Sequence, residues 1–451
     1  MTTLHTEHLL TPTGWSQSAR LHLRDGHIAA IERDVAPQSG DERHTVIVPA
    51  MANLHSHAFQ RGMAGLAETR GASEDNFWSW RDIMYRFASR MSPEHLQAIA
   101  AQAYVEMLEA GYGRVGEFHY VHHDIGGRRF ADPGEMVGRL AAAAAETGLS
   151  LTLLPVFYAH SSFGGKPPHE AQSRFIHDID SYARLLERCH DVTRPLPGSV
   201  VGVAPHSLRA VTPVELTQVV QLLPEAPVHI HIAEQMNEVR DCVAWSGLRP
   251  VRWLLDHADV DSRWCLVHAT HVDDGEIDGM ARSGATVGLC PVTEANLGDG
   301  IFPAAQFIAA GGRFGVGTDS NVCIGLSGEL SLLEYTQRLS HRSRNVIGLE
   351  GHSTGMALFR RALVGGAQAL GAPAAEVIEG GVADLVSLSG RDPAMLCRAG
   401  DALIDSWLFA AANSVVDCVW IGGNKLVEGG RHRSRDSVRQ VYEKTLRELC
   451  A

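Results

Sequence analysis

Short runs of apolar, β-branched residues recur through the middle of the chain, separated by longer stretches with helical spacing. The runs lie at His44–Val48, Arg114–Phe118, Ser150–Leu154, Val200–Ala204, Val228–Ile232, Trp264–His268, Ala285–Leu289 and Arg313–Gly317. Each is predicted to be a strand, and unbroken apolar runs of this kind suit a parallel sheet buried on both faces. Between them, Pro93–Ala110 opens behind a Ser92 cap with proline in first position, and Pro213–Leu223 follows Thr212 in the same way. Pro133–Glu146 is predicted to be helical and to stop at Gly148. Eight strand–helix units over residues 48–375 predict an α/β fold, a (β/α)8 TIM-like barrel, with an open doubly wound sheet as the alternative.

The two ends read differently. Residues 1–47 and 376–435 hold short strands and hairpin signals, such as Asp25-Gly26 before Ala29–Glu32 and Gly422-Gly423-Asn424 after Cys418–Ile421. They predict one small β-sandwich assembled from both termini. Residues 436–451 are predicted to form a C-terminal helix. There is no internal repeat.

With 45% hydrophobic and 20% charged residues among 451, the composition excludes a disordered, collagen-like or fibrous chain. No apolar run is long enough for a membrane span, and Met1–His5 carries no basic, then apolar, leader, so a cytoplasmic location is expected. A net charge of −13 argues against nucleic acid as a partner. The eight cysteines include no C-x-x-C pair and are expected to be reduced. Two features change the picture more. There are 24 histidines, and of 39 basic residues only Lys166, Lys425 and Lys444 are lysines.

Polar groups gather at the C-terminal ends of the predicted strands, the rim on which barrel active sites form. The first strand region ends in Asn53-Leu54-His55-Ser56-His57, and alternation puts His55 and His57 on one side. The fifth ends in His229-Ile230-His231-Ile232-Ala233-Glu234, the sixth in His268, and the eighth in Gly317-Thr318-Asp319. Three imidazoles and a carboxylate from these strands can converge on one divalent metal, and that donor set suits zinc or iron(II). A lone strand histidine is more often a hydrogen-bonded core residue. The joint placement is much harder to obtain by accident.

The arrangement resembles the signature of the amidohydrolase superfamily, and the resemblance spans essentially the whole chain. It implies His55, His57, His231 and Asp319 as metal ligands, with His229 supporting or packing behind them. Binuclear members need a carboxylated lysine on strand four, and Ser199–His206 contains none. The resemblance therefore implies one Zn2+ per subunit, with iron as the alternative, as in the deaminase branch. That branch also carries the His-x-x-Glu pattern of His231 and Glu234.

Zinc lowers the pKa of bound water from about 15.7 to about 7, which corresponds to roughly 12 kcal/mol. The expected roles are His268 and Asp319 for the water proton and Glu234 for the proton delivered to a leaving nitrogen. The bland reading of Glu234 is a cap on the following helix.

Further rim residues are Gln60, Arg61, Arg81, Tyr120, His206 and Arg209. Arginine binds carboxylates with a two-pronged fork, so two arginines from different loops suggest a small dicarboxylate. Surface ion pairing is the plain alternative. The segments Asn53–Gly62, Phe77–Arg81, Gly116–Tyr120 and Ala204–Arg209 resemble the formimidoylglutamate deiminase family. That resemblance implies Gln60, Arg81, Tyr120, His206 and Arg209 as substrate contacts. It also implies hydrolysis of N-formimidoyl-L-glutamate to N-formyl-L-glutamate and ammonia, in histidine degradation, and a homodimer. Such a substrate needs little aromatic stacking. The rival on the same scaffold is a purine or pterin aminohydrolase such as a guanine deaminase, which would favour stacking rings. A non-catalytic zinc scaffold is the remaining alternative; it would need neither Glu234 nor His268. Residues 62–92 are expected to form a lid or a subunit contact.

Overall fold

The computed structural model describes residues 2–70 and 76–450. Residues 71–75, part of the expected 62–92 insertion, and the terminal residues 1 and 451 lie outside the described set. The chain begins with β1 (Thr2–Thr11), β2 (Gly14–Arg24), β3 (His27–Glu32) and β4 (Glu42–Pro49). Then come β5 (Met51–Ser56), β6 (Tyr112–His119), β7 (Ser150–Phe157), β8 (Val200–Val201) and β9 (Ala204–Pro205). They are followed by β10 (Val228–Ile232), β11 (Trp264–His268), β12 (Thr286–Leu289) and β13 (Arg313–Val316). The chain closes with β14 (Leu385–Leu388), β15 (Val416–Ile421), β16 (Asn424–Glu428) and β17 (Arg431–His432), and a final helix at Arg435–Cys450.

The central strands pair in parallel throughout. One set runs β5-β6-β7-β8, with β9 also on β7, and the other runs β10-β11-β12-β13. Parallel bridges join the sets on both sides, at Val203–Val228 and Ser207–His231 and again at Ser56–Asp319. All residues of β5, β10, β11 and β12 are buried, which explains why these strands are apolar apart from short polar side chains and the histidines they carry. The run at 200–204 is broken into two short strands rather than one.

Helices fill the connections: α1 (Phe77–Ala88), α2 (Pro93–Glu109), α3 (Glu135–Thr147), α4 (Ile179–Thr193), α5 (Pro213–Leu222) and α6 (Met236–Ser246). Ser92 and Thr212 cap α2 and α5 as their sequences predict, and Thr212 and Glu215 form a reciprocal capping box. Gly148 ends α3 in the left-handed region at φ 81°, where a β-carbon would be strained. Among the described residues no helix is long and apolar enough to cross a membrane.

Strand pattern alone misassigned the first run. Residues 44–48 lie in β4, which pairs with β1 in parallel and with β14 antiparallel, while the first central strand is β5. The boundary expected after residue 47 therefore falls inside β4. The two ends build one eight-stranded sheet in the order β17-β16-β15-β14-β4-β1-β2-β3. An apolar cluster of its own, including Leu4, Leu21, Ile28, Ile47, Leu385 and Trp420, packs this sheet. Between β14 and β15 the chain is helical over residues 402–415, although short strands are expected there.

Candidate metal centre

β5 presents His55, the residue after its end is His57, β10 presents His231, and the turn after β13 presents Asp319. Their donor atoms all lie within 4.8 Å of one another. His55 Nε2 is 3.0 Å from His231 Nε2 and 3.3 Å from His57 Nε2. Asp319 Oδ1 is 3.1 Å from His57 Nε2 and 3.5 Å from His55 Nε2. On the far side of the rings, His57 Nδ1 donates to the Phe118 carbonyl at 2.7 Å and His231 Nδ1 donates to the His206 carbonyl at 3.2 Å. With the hydrogens assigned there by the bonding network, the Nε2 lone pairs face one point together with a carboxylate oxygen. Neutral imidazoles packed this way repel unless a cation lies between them. Burial holds His55 far below its ordinary range, at about 3, so the ring is neutral as a ligand must be.

The backbone pays for this convergence in strain. Ala233, His268, Asp319 and Asn321 sit at φ 51°, 69°, 45° and 55°, all in the left-handed region, at a cost of about 1–3 kcal/mol each. Hydrogen bonds hold them there. Asp319 N–H donates to the His55 carbonyl and His57 N–H to the Asp319 carbonyl, both at 2.9 Å. Asn53 clamps Thr318 through two bonds of 2.7 and 3.0 Å. Gly317 allows this approach, because a β-carbon there would fall 2.7 Å from the His55 backbone.

Glu234 follows the strained Ala233. Both N–H groups donate to the Glu238 carboxylate at 3.2 Å, which fixes the turn. The N-cap of α6 is Gln235, without a side-chain cap bond, so the capping explanation of Glu234 fails. Burial pushes the Glu234 carboxyl up to about 7; the nearby His268 opposes this and Asp319 adds to it. His268 Nδ1 lies 3.2 Å from Glu294. Its Nε2 faces Glu234 at 3.8 Å and Asp319 at 3.9 Å. Burial works against its charge, but the carboxylates of Glu234, Glu294 and Asp319 raise it to about 10. The site thus has a carboxyl and an imidazole whose proton affinities are moved toward holding a proton near neutrality.

One cavity opens over this group. His57, His231, Glu234, His268 and Asp319 line its floor, while Gln60, Arg81, Tyr120, His206 and Arg209 line its walls; His55 lies beneath. Gln60 donates to the Tyr120 hydroxyl at 2.8 Å. Arg81, on α1, stacks on Trp78 at 4.3 Å, and Arg209 stands 5.7 Å from the same indole. Among the described residues neither guanidinium is ion-paired, and the Nε of each is buried without a partner. Arg61 differs: it pairs with Glu106 at 2.9 Å and donates to the Asn321 and Val322 carbonyls, so it is a structural tie outside the cavity. His229 also turns away, its ring nitrogen 2.7 Å from the Ala369 carbonyl.

The sequence reading missed much of the wall. Phe77, Trp80, Tyr85, Tyr158 and Phe175 all face the cavity, contrary to the expectation of little aromatic lining. Tyr158 stands one residue past β7, where the strand-end rule would have found it. Glu117, which accepts from Ser56 Oγ at 3.0 Å and Ala58 N–H at 2.7 Å beneath the His–Asp group, was also missed, as were Glu238 and Glu294.

Comparison with known proteins agrees with this geometry. The profile of the amidohydrolase family matches residues 46–426. The profile of the formimidoylglutamate deiminase HutF N-terminal domain matches residues 1–45. Formimidoylglutamate deiminase of Pseudomonas aeruginosa is 48% identical over 454 residues, covering 100% of both chains. A crystal structure of an amidohydrolase from Brucella melitensis superposes with a TM-score of 0.97 at 56% identity, again over 100% of both chains. A zinc-bound adenosine deaminase from Xanthomonas campestris shares the fold, with a TM-score of 0.79 at 22% identity over 98% of each chain.

Proposed function

Because the chain belongs to the amidohydrolase family and, within it, to the formimidoylglutamate deiminases, we propose that it hydrolyses N-formimidoyl-L-glutamate to N-formyl-L-glutamate and ammonia, as a step of histidine degradation. The observation that carries this reading is the pair of guanidiniums, Arg81 and Arg209. They share a cavity with the His–Asp group and have no carboxylate partner of their own among the described residues. A substrate with two carboxylates supplies both partners.

His55, His57, His231 and Asp319 are the residues to hold one divalent ion, with zinc favoured by three imidazoles and one carboxylate. That ion, when bound, supplies the acidity that makes water a nucleophile at neutral pH. The remaining steps belong to the chain. Arg81 and Arg209 grip the carboxylates, and Gln60, Tyr120 and His206 orient the formimidoyl arm over the floor. Water adds to the formimidoyl carbon while Asp319 takes its proton; His268, held charged by its carboxylate neighbours and 3.9 Å from the Asp319 carboxylate, steadies that proton. Glu234, with a carboxyl near 7, delivers a proton to the terminal nitrogen. A second proton, the one taken from water, reaches the same nitrogen; the carbon–nitrogen bond then breaks, ammonia departs, and the carbon keeps the new oxygen as the formyl group once the adduct hydroxyl has returned its proton to Glu234.

The two parallel sheets with their joining bridges support a single (β/α)8 barrel over about residues 50–375. The sheet from both ends, with its separate apolar cluster, supports a composite β-domain beside it. The aromatic wall of the cavity favours a second reading, an aminohydrolase of purine-like rings. Ammonia release measured side by side on N-formimidoyl-L-glutamate and guanine separates the two. Turnover of the dicarboxylate alone is expected, and turnover of guanine alone refutes the proposal.

A further inference from the structure

A second cavity shares a wall with the first. The segment after β6 places Tyr120 in the catalytic cavity and, two and three residues later, His122 and His123 in the second. The segment before α4 does the same, with Phe175 facing one cavity and His177 the other. The two segments are stitched together. His122 and His123 N–H groups donate to the Arg174 carbonyl at 2.9 and 3.0 Å, and Arg174 Nε donates to the His123 carbonyl at 2.9 Å.

The polar lining is His122, His123, Arg129, His177, Ser181 and Arg184. Its charge is positive. Ser181 and Arg184 stand three residues apart on one face of α4, and Arg129 reaches over from the segment between β6 and α3. The acidic group at hand is Asp178, and it is already engaged: it accepts the Ser181 N–H at 2.7 Å and stands 3.5 Å from Arg129. Arg184 is exposed and has no ion pair among the described residues. His177 is 3% exposed, and its Nε2 has no partner. Ser181 Oγ is 3.1 Å from His177 Nδ1. The Ser181 hydroxyl is equally close to the Asp178 carbonyl, at 3.1 Å, so its one hydrogen serves either acceptor; when it turns to Nδ1, the ring hydrogen sits on Nε2 as a buried donor without an acceptor, the form that an anion selects. Such a group costs stability unless something fills the role. A cation is the wrong occupant, because His122 and His123 spend their Nε2 atoms on the Val156 and Ile176 carbonyls and two guanidiniums flank the space. Burial, then His123 and the guanidiniums of Arg129 and Arg184, against the opposing Asp178, also hold His177 neutral, at about 3.

We propose that this cavity is a second, non-catalytic binding site for a small oxyanion, a phosphate or a carboxylate, held by Arg129, Arg184 and the His177 ring. It lies behind the wall that carries Tyr120, so an anion there braces that wall. The proposal does not depend on the identity of the substrate, and its test reads binding rather than turnover. The metal-loaded, full-length protein is titrated with inorganic phosphate by calorimetry. Three variants run beside it: Arg184→Gln, the doubly substituted Arg129→Gln/Arg184→Gln, and Arg209→Met as a control for phosphate in the catalytic cavity. Both substituted positions of the double variant are exposed, so folding is not at issue. The expected result is saturable binding to the wild type and to Arg209→Met, weakened roughly tenfold in Arg184→Gln and more in the double variant. Competition by L-glutamate in the Arg209→Met background assigns a carboxylate as occupant; binding without competition assigns phosphate. No saturable binding to the wild type overturns the proposal. So does binding that the double variant retains, or binding lost only in Arg209→Met.

Discussion

Replacing Arg209 by methionine separates a substrate-binding arginine from a structural one. The guanidinium is almost fully buried, at 6% exposure, with no ion pair among the described residues and its Nε unpartnered. Glu238 and Glu234 act on it only at longer range, against the cost of its burial. In the free protein these carboxylates more than offset the cost of burial, so the charge is held, but without a close partner to fix its geometry. Methionine keeps the apolar stem and removes the burial cost together with that long-range attraction, so thermal stability is expected to change little. In the complex the same group makes a two-pronged contact. Each hydrogen bond to a charged partner contributes about 1.5–3 kcal/mol, so two are worth roughly 3–6 kcal/mol. That predicts a fall in kcat/KM of roughly 10²–10⁴-fold. Steady-state ammonia release and a thermal melt on the same preparation give both numbers. An unchanged kcat/KM refutes the binding role. A loss of activity that tracks a large drop in Tm shows instead that Arg209 holds the fold.

Three further outcomes follow from the same geometry. Glu234→Gln should keep full metal content and lose about 10²–10⁴ in kcat, as removal of a general acid–base does; elemental analysis beside turnover checks it, and unchanged turnover removes Glu234 from the mechanism. His231→Ala deletes a ligand without touching the arginines, so metal content should fall while the far-ultraviolet circular dichroism stays native. Burial raises the Glu117 carboxyl from 4.5 to about 7, so the fold prefers its protonated form. That preference is worth about 3 kcal/mol of stability, fully present below about pH 4.5 and lost as pH rises through about 7. Denaturant unfolding across that range should show the decline in the wild type and its absence in Glu117→Gln, and parallel curves would contradict it.

Much of the site could be read from strand ends because parallel strands end on one side of their sheet and turn a position in sequence into a position on that rim. Strand ends narrow the candidates to His55, His57, His229, His231, Glu234, His268 and Asp319; the family resemblance implies His55, His57, His231 and Asp319 among them, and the donor atoms of those four lie together. The strand pattern reports only that a segment is extended and buried. It does not say which sheet receives it, and so the run at 44–48 was placed in the centre although β4 pairs with β1 and β14. The missed groups share a different cause. Glu117, Glu238 and Glu294 act by accepting backbone N–H bonds or holding an imidazole across the fold, and such contacts leave no spacing in the chain. Phe77, Trp80 and Phe175 lie on connecting segments, where no periodicity tells a cavity-facing ring from a packed one.

The central claim is that one divalent ion, held by three imidazoles and an aspartate, is required for hydrolysis. Metal-free protein titrated with zinc, with N-formimidoyl-L-glutamate turnover followed at each addition, tests it directly. The account predicts no turnover at the start and a linear rise that ends at one zinc per chain. Turnover by the metal-free protein, or a rise that continues to two ions per chain, would contradict it.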